Sequence, residues 1–154
     1  MIDRNLWLIA GGCLSAAAAL LHLAVIVGGP DWYRFFGAGE GLAQAAERGS
    51  WIPALITLAI ATILAVWSAY AFAGAGLLPR LPLMRTALVV ISSVYLIRGL
   101  FVLYPPAFNR PDLSPAFVLW SSLFVLGIGV LYAVGTWAAW DSLSTRRDLH
   151  ALGS

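Results

Sequence analysis

The sequence predicts an all-α, polytopic membrane protein: a bundle of four transmembrane helices with N-in/C-in topology. Of its 154 residues, 61% are hydrophobic and 10% are charged, and the mean hydropathy is +0.88. Such a chain has too little polar surface to cover a soluble globule of this length. Four apolar stretches of about 20 residues could each cross a ~30 Å hydrocarbon core as a helix, and the alternating pattern of barrel strands is missing. We therefore predict a single membrane domain over residues 1–154.

The predicted helices are residues 6–27, 51–73, 84–103 and 117–140. Gly28 and Pro30 end the first helix, and a turn rich in glycine and proline at 74–82 separates the second from the third. Pro105 closes the third helix and Pro115 precedes the fourth. The first stretch is longer than the roughly 7 to 15 apolar residues of a signal-peptide core. We interpret it as a retained helix.

The distribution of arginines predicts the orientation. With the N-terminus in the cytoplasm, Arg4, Arg80, Arg85, Arg146 and Arg147 lie on the inner side, and Arg34, Arg48 and Arg110 on the outer side. The inner excess favours this orientation. The two long loops, 30–50 and 105–115, then face outward. The first contains aromatic residues beside glycines and a short interfacial helix at 41–48. Because loops on a rigid scaffold tend to carry function, we expect function on this side.

Several classes of function are disfavoured by composition. The net charge of +2 is small and dispersed, which excludes nucleic-acid binding. A single cysteine, Cys13, excludes a dithiol mechanism within this chain. His22 is the only histidine in a predicted span, since His150 lies in the polar tail, and one histidine is weak evidence for haem. The spans contain no cluster of histidine, cysteine and carboxylates for a metal. We predict no metal and no cofactor.

Arg98 is the most informative residue, because it interrupts an apolar span. A charged residue at this depth costs about 2.5 to 3.5 kcal/mol on insertion scales, so it usually faces a cavity or a partner. The nearest acids are in the first outer loop: Asp31, Glu40 and Glu47. We expect Glu40 or Glu47 to reach Arg98. Glu40 is favoured because its flanking glycines let the backbone turn inward.

Other polar and aromatic residues are predicted near Arg98. His22 and Arg98 each lie ~9 Å below the outer boundary at 1.5 Å per residue, and Tyr95 shares a helix face with Arg98. The predicted ligand-binding residues are Arg98, His22, Tyr95, Trp120, Glu40 and Trp32. Together they suggest a polar pocket near the outer leaflet. The leading hypothesis is that this pocket binds a membrane lipid or amphiphilic small molecule whose anionic or carbonyl head meets Arg98.

Each of these residues also has a purely structural interpretation. Arg98 could extend its side chain to the outer headgroups, and His22 could bond a helix carbonyl or hydroxyl. The aromatic residues suit an interfacial belt. Hydroxyls inside helices commonly donate to carbonyls of the preceding turn, as expected here for Ser92, Ser93, Ser121 and Ser122.

Two other classes of function remain open. One is a membrane-embedded enzyme, an isomerase, hydrolase or conjugating type, with His22 or Glu40 as acid or base and Arg98 as electrophile. The other is an assembly subunit or homodimer that docks through small-residue ridges, such as the one formed by Gly11, Gly12, Ser15 and Ala19. The sequence leaves open whether the protein is an enzyme.

The first half of the chain resembles bacterial four-helix inner-membrane proteins. The resemblance lies in His22, the stretch 32–40, Gly49, Trp51 and the helix that follows. It implies a bacterial origin and a multi-pass location in the inner membrane. It carries no activity over to this chain.

Overall fold

The computed structural model describes residues 5–104 and 113–144, and this part of the chain is helical apart from turns. The helices are α1 (Leu6–Gly28), α2 (Pro30–Phe35), α3 (Glu40–Glu47), α4 (Ile52–Gly74), α5 (Met84–Leu100) and α6 (Pro115–Ala138). A 3₁₀ turn at Phe101–Leu103 extends α5, and another at Ser142–Ser144 follows α6. The first long loop thus contains two short helices, whereas the sequence predicts one. The additional helix, α2, forms because Pro30 occupies its first turn, a position that needs no backbone N–H.

The four long helices in the described ranges are each long and apolar enough to cross a membrane, which indicates a multi-pass membrane protein. Their outward faces carry large apolar side chains, among them Ile97 and Phe124, which are 62% and 56% exposed. The last helix begins at Pro115 rather than at residue 117, because the Ser114 side chain caps the N–H of Phe117 at 3.2 Å. The predictions for Arg4, Pro105, Arg110, Arg146, Arg147 and His150 concern residues outside the described ranges.

The bundle consists of two hairpins. α1 packs along α4, α5 packs along α6, and the hairpins join mainly through α1 and α6. Glycines allow the close approaches: a Cβ on Gly99 would lie 2.6 Å from the Cα of Leu126, and one on Gly129 would lie 2.9 Å from the backbone N of Leu96. Small residues let membrane helices approach this closely.

The two ends of the bundle differ. At the Asn5 end, the Asn5 amide donates to the Gly135 carbonyl at 2.6 Å and its oxygen accepts from the Leu8 N–H at 3.1 Å. At the opposite end, here called the α2–α3 end, a Cβ on Gly37 would meet the Phe117 ring at 2.6 Å. The short helices therefore lie against the start of α6. Tyr33 fixes them from the other side, since it is 2% exposed and packs with Val25 and Ala43.

Candidate functional site

Arg98 lies on the last turn of α5, at the α2–α3 end of the bundle. Its side chain is exposed and its Nη1 donates to the Ser122 hydroxyl of α6 at 3.4 Å. The close contact between Gly99 and Leu126 explains this arrangement. Ser122 is one helical turn before Leu126, so the tight packing of α5 on α6 sets Arg98 opposite Ser122.

Ser122 differs from the other serines expected to bond backbone carbonyls. Ser92 donates to Leu88 O at 2.6 Å, Ser93 to Val89 O at 2.8 Å and Ser121 to Val118 O at 3.3 Å, which confirms that expectation for all three. For Ser122 it is wrong. Its hydroxyl is buried, at 1% exposure, and instead accepts from Arg98.

The expected pairing of Arg98 with a loop carboxylate is also wrong. Glu40 binds Arg34 through two parallel bonds of 2.9 Å, to Nε and Nη2. Glu47 lies 2.7 Å from Nη1 of the same arginine, and Asp31 lies 3.6 Å from it. Arg34 is six positions from Glu40, so this pair closes a short loop at little entropic cost. All three acids proposed for Arg98 thus surround Arg34.

The electrostatics of this surface cluster follow from that geometry. The hydrogen bonds that Arg34 donates to Glu40 hold the pKa of Glu40 below its usual range, and the bonds that it donates to Glu40 and Glu47 raise the pKa of Arg34. The cluster is exposed to solvent, where such pairs contribute little to overall stability. Its effect is local, because these ion pairs connect α2 to α3.

His22 is half-buried on α1. Its Nδ1 lies 2.7 Å from the carbonyl oxygen of Ala18, one turn earlier, which confirms the structural interpretation. Because a carbonyl only accepts, Nδ1 carries the proton and donates.

Tyr95 is buried, at 5% exposure, and takes part in a chain of hydroxyls rather than in a contact with Arg98. Ser15 Oγ lies 2.8 Å from the Tyr95 hydroxyl and 2.9 Å from the Tyr132 hydroxyl, and Tyr132 donates to Trp67 O at 3.0 Å. Since the single proton of Tyr132 goes to that carbonyl, Ser15 donates to Tyr132 and Tyr95 donates to Ser15. The chain links α5, α1, α6 and α4.

Two members of this hydroxyl chain, Ser15 and Tyr132, are not among the site residues predicted from sequence. The small residues around Ser15 predict only a packing ridge. A tyrosine in the middle of an apolar span is a usable signal, because its hydroxyl needs a partner in hydrocarbon. Tyr132 is fully buried, at 0% exposure.

The remaining predicted residues lie at the surface. Trp120 is 69% exposed and faces away from the bundle, and Trp32 is 41% exposed and packs on Gly28 beside Phe36. The contacts therefore bring Arg98 to Ser122, Tyr95 to Ser15 and Glu40 to Arg34. They do not join the six predicted ligand-binding residues into one cluster, and their binding role stays a prediction.

Two cavities lie elsewhere in the described part of the chain. One of about 630 Å³ is at the Asn5 end, between Trp7, Gly76, Arg80 and Met84, and one of about 390 Å³ is a groove between α1 and α4. Neither is lined by Arg98 or His22. Among residues 5–104 and 113–144, no three histidines, cysteines or carboxylates are grouped so as to hold a metal ion.

Comparison of the chain with protein-family models, with curated proteins and with solved structures finds no match.

Proposed function

We propose that this is a bacterial inner-membrane protein with N-in/C-in topology that binds a lipid or other amphiphilic small molecule near the outer leaflet, with Arg98 holding its polar head. The observation that carries the proposal is how few hydrogen-bond partners Arg98 has in the described residues. In the part of the chain described, its only hydrogen bond is the 3.4 Å contact with Ser122, while Asp31, Glu40 and Glu47 all surround Arg34. A guanidinium in this position favours an acceptor from outside the chain.

The surface beside Arg98 suits the apolar part of such a molecule. Val90 and Val94 precede Arg98 at intervals of four residues, so the three side chains share one face of α5. Val90 and Val94 are 52% and 43% exposed. A hydrocarbon chain attached to a head at Arg98 would run along these valines toward the middle of the bilayer.

The contacts give less support to the enzyme alternative. It requires His22 or Glu40 to act together with Arg98, but His22 donates to Ala18 O and Glu40 is held by Arg34. An acid–base pair must lie within hydrogen-bond reach of a common substrate. No contact in the described residues joins these three groups.

Replacing Arg98 with leucine tests the binding proposal. The wild type and Arg98→Leu are purified in mild detergent, and the lipids that remain with each are extracted and quantified by mass spectrometry. We expect one amphiphile held by the wild type to fall at least about tenfold in the variant, since a hydrogen bond to a charged group contributes about 1.5 to 3 kcal/mol.

Arg48→Leu is the matched control, because Arg48 is an exposed arginine at the same end of the bundle but outside the long helices. It should retain the amphiphile. Equal thermal unfolding midpoints would show that all three proteins are folded. If Arg98→Leu retains the same lipids in the same amounts as the wild type, Arg98 serves only to reach the headgroup region and the proposal fails.

A further inference from the structure

Both members of the Arg98–Ser122 contact carry hydrogen-bond donors. The guanidinium carries five N–H donors and no acceptor, and the serine hydroxyl carries one proton. The Ser122 oxygen accepts from Arg98 Nη1, so its own proton must go elsewhere. Within residues 5–104 and 113–144, the Ser122 hydroxyl makes no second hydrogen bond.

Five of the ten serine and threonine hydroxyls in the long helices donate to a carbonyl of their own helix: Thr57, Thr62, Ser92, Ser93 and Ser121. Ser68 donates to Gly12 O of α1, and the buried Thr136 hydroxyl has no hydrogen-bond partner in the described residues. Ser122 donates to no carbonyl of the described residues, although it is buried at 1% exposure. A buried donor without an acceptor is costly in an apolar environment.

We infer, on the basis of the proposed function, that the bound amphiphile has an oxyanion head, a carboxylate or a phosphate, and that one of its oxygens bridges Arg98 and Ser122. An oxyanion oxygen carries no proton and accepts from both donors at once. An alcohol head carries no negative charge and a protonated amine head is positive, so neither pairs with the guanidinium as an oxyanion does. Arg98 therefore selects the charge of the head, and Ser122 adds a second donor to one of its oxygens.

Access to Ser122 depends on the arginine. Arg98 is exposed and its side chain has several rotatable bonds, whereas Ser122 is fixed in the interface between α5 and α6. Their 3.4 Å separation is long for a charged hydrogen bond. Binding therefore requires the arginine stem to rotate, so that an oxygen can sit between the two donors.

The test is a native mass-spectrometry titration of the delipidated full chain in neutral detergent. Three probes are used: oleate, oleyl alcohol, which has the same chain with a neutral head, and dioleoyl phosphatidic acid. We expect the wild type to bind oleate, phosphatidic acid or both, and to bind oleyl alcohol at least about tenfold more weakly. Oleate alone would identify a carboxylate head, and phosphatidic acid alone a phosphate head.

Ser122→Ala and Ser121→Ala form the matched pair of variants. Ser121 is the neighbouring residue, but its hydroxyl already donates to Val118 O. Ser122→Ala should bind the oxyanion about tenfold more weakly, because it loses one bond to a charged group, and Ser121→Ala should bind like the wild type. The unfolding midpoint of each variant is measured alongside.

Three results would overturn the inference: tight binding of oleyl alcohol, binding of neither oxyanion, or equal affinity in Ser122→Ala and the wild type. If a neutral amphiphile is held by the wild type and lost in Arg98→Leu, the proposed function stands and only the oxyanion head is wrong. If Arg98→Leu retains the ligand, both fail.

Discussion

Gly99→Ala is expected to separate α5 from α6 and lower the free energy of unfolding by about 3 kcal/mol, the upper part of the usual range for an overpacked core. A Cβ at Gly99 would lie 2.6 Å from Cα and Cβ of Leu126 and 2.7 Å from its backbone N. Two of these atoms belong to the backbone, so a side-chain rotation cannot relieve the clash. The helices must move apart along their contact.

Gly127→Ala is the matched control for this prediction. Gly127 lies on α6 next to the contact, but a Cβ there would meet nothing within 4 Å. Because alanine is a better helix former than glycine by about 1 kcal/mol, this variant should be as stable as the wild type or more so. Denaturation in mixed detergent micelles, followed by tryptophan fluorescence, measures both. Equal stability of Gly99→Ala and Gly127→Ala would contradict the described packing.

Ser15→Ala should have the next largest effect, a loss of about 1 to 2 kcal/mol. Ser15 accepts from the Tyr95 hydroxyl and donates to the Tyr132 hydroxyl. Without it, Tyr95 is buried at 5% exposure with no other hydrogen-bond partner in the described residues. Tyr132 retains its bond to Trp67 O.

A double-mutant cycle with Tyr95→Phe isolates this interaction. Because Tyr95→Phe removes the hydroxyl that Ser15→Ala leaves unpaired, the double variant should be more stable than the sum of the two single losses predicts. Ser93→Ala is the control, since Ser93 is exposed and bonds only Val89 O of its own helix. Additive effects in the cycle would show that Ser15 and Tyr95 are not coupled.

The long helices could be predicted from sequence because hydropathy and length depend only on local residues. Each predicted span lies within a few residues of the observed helix; for example, the prediction 6–27 corresponds to Leu6–Gly28. The end of α1 at Gly29 is also a local property, because the φ of 71° at this position favours glycine. These signals need no knowledge of how the helices pack.

The partners of Arg98 and Tyr95 could not be predicted in the same way. They depend on which face α5 turns toward α6 and α1, and that rotation is set by contacts distant in sequence, such as Gly99 on Leu126. The cost of a charge in the membrane predicts an acidic partner for Arg98. Arg34 is much closer along the chain to Asp31, Glu40 and Glu47, however, and binds all three.

The most direct test of the binding account is a distance between the ligand head and Arg98. Rotational-echo double-resonance NMR measures it on protein with ¹⁵N-labelled arginine guanidinium groups, reconstituted in bilayers with the oxyanion that the wild type binds, either ¹³C-carboxyl oleate or phosphatidic acid observed through its ³¹P. We predict a ¹³C–¹⁵N or ³¹P–¹⁵N coupling that corresponds to a hydrogen bond of roughly 2.7 to 2.9 Å between nitrogen and oxygen, and its loss in Arg98→Lys, which keeps the charge but has no guanidinium. Absence of this coupling, or its persistence in Arg98→Lys, would contradict an oxyanion held at Arg98.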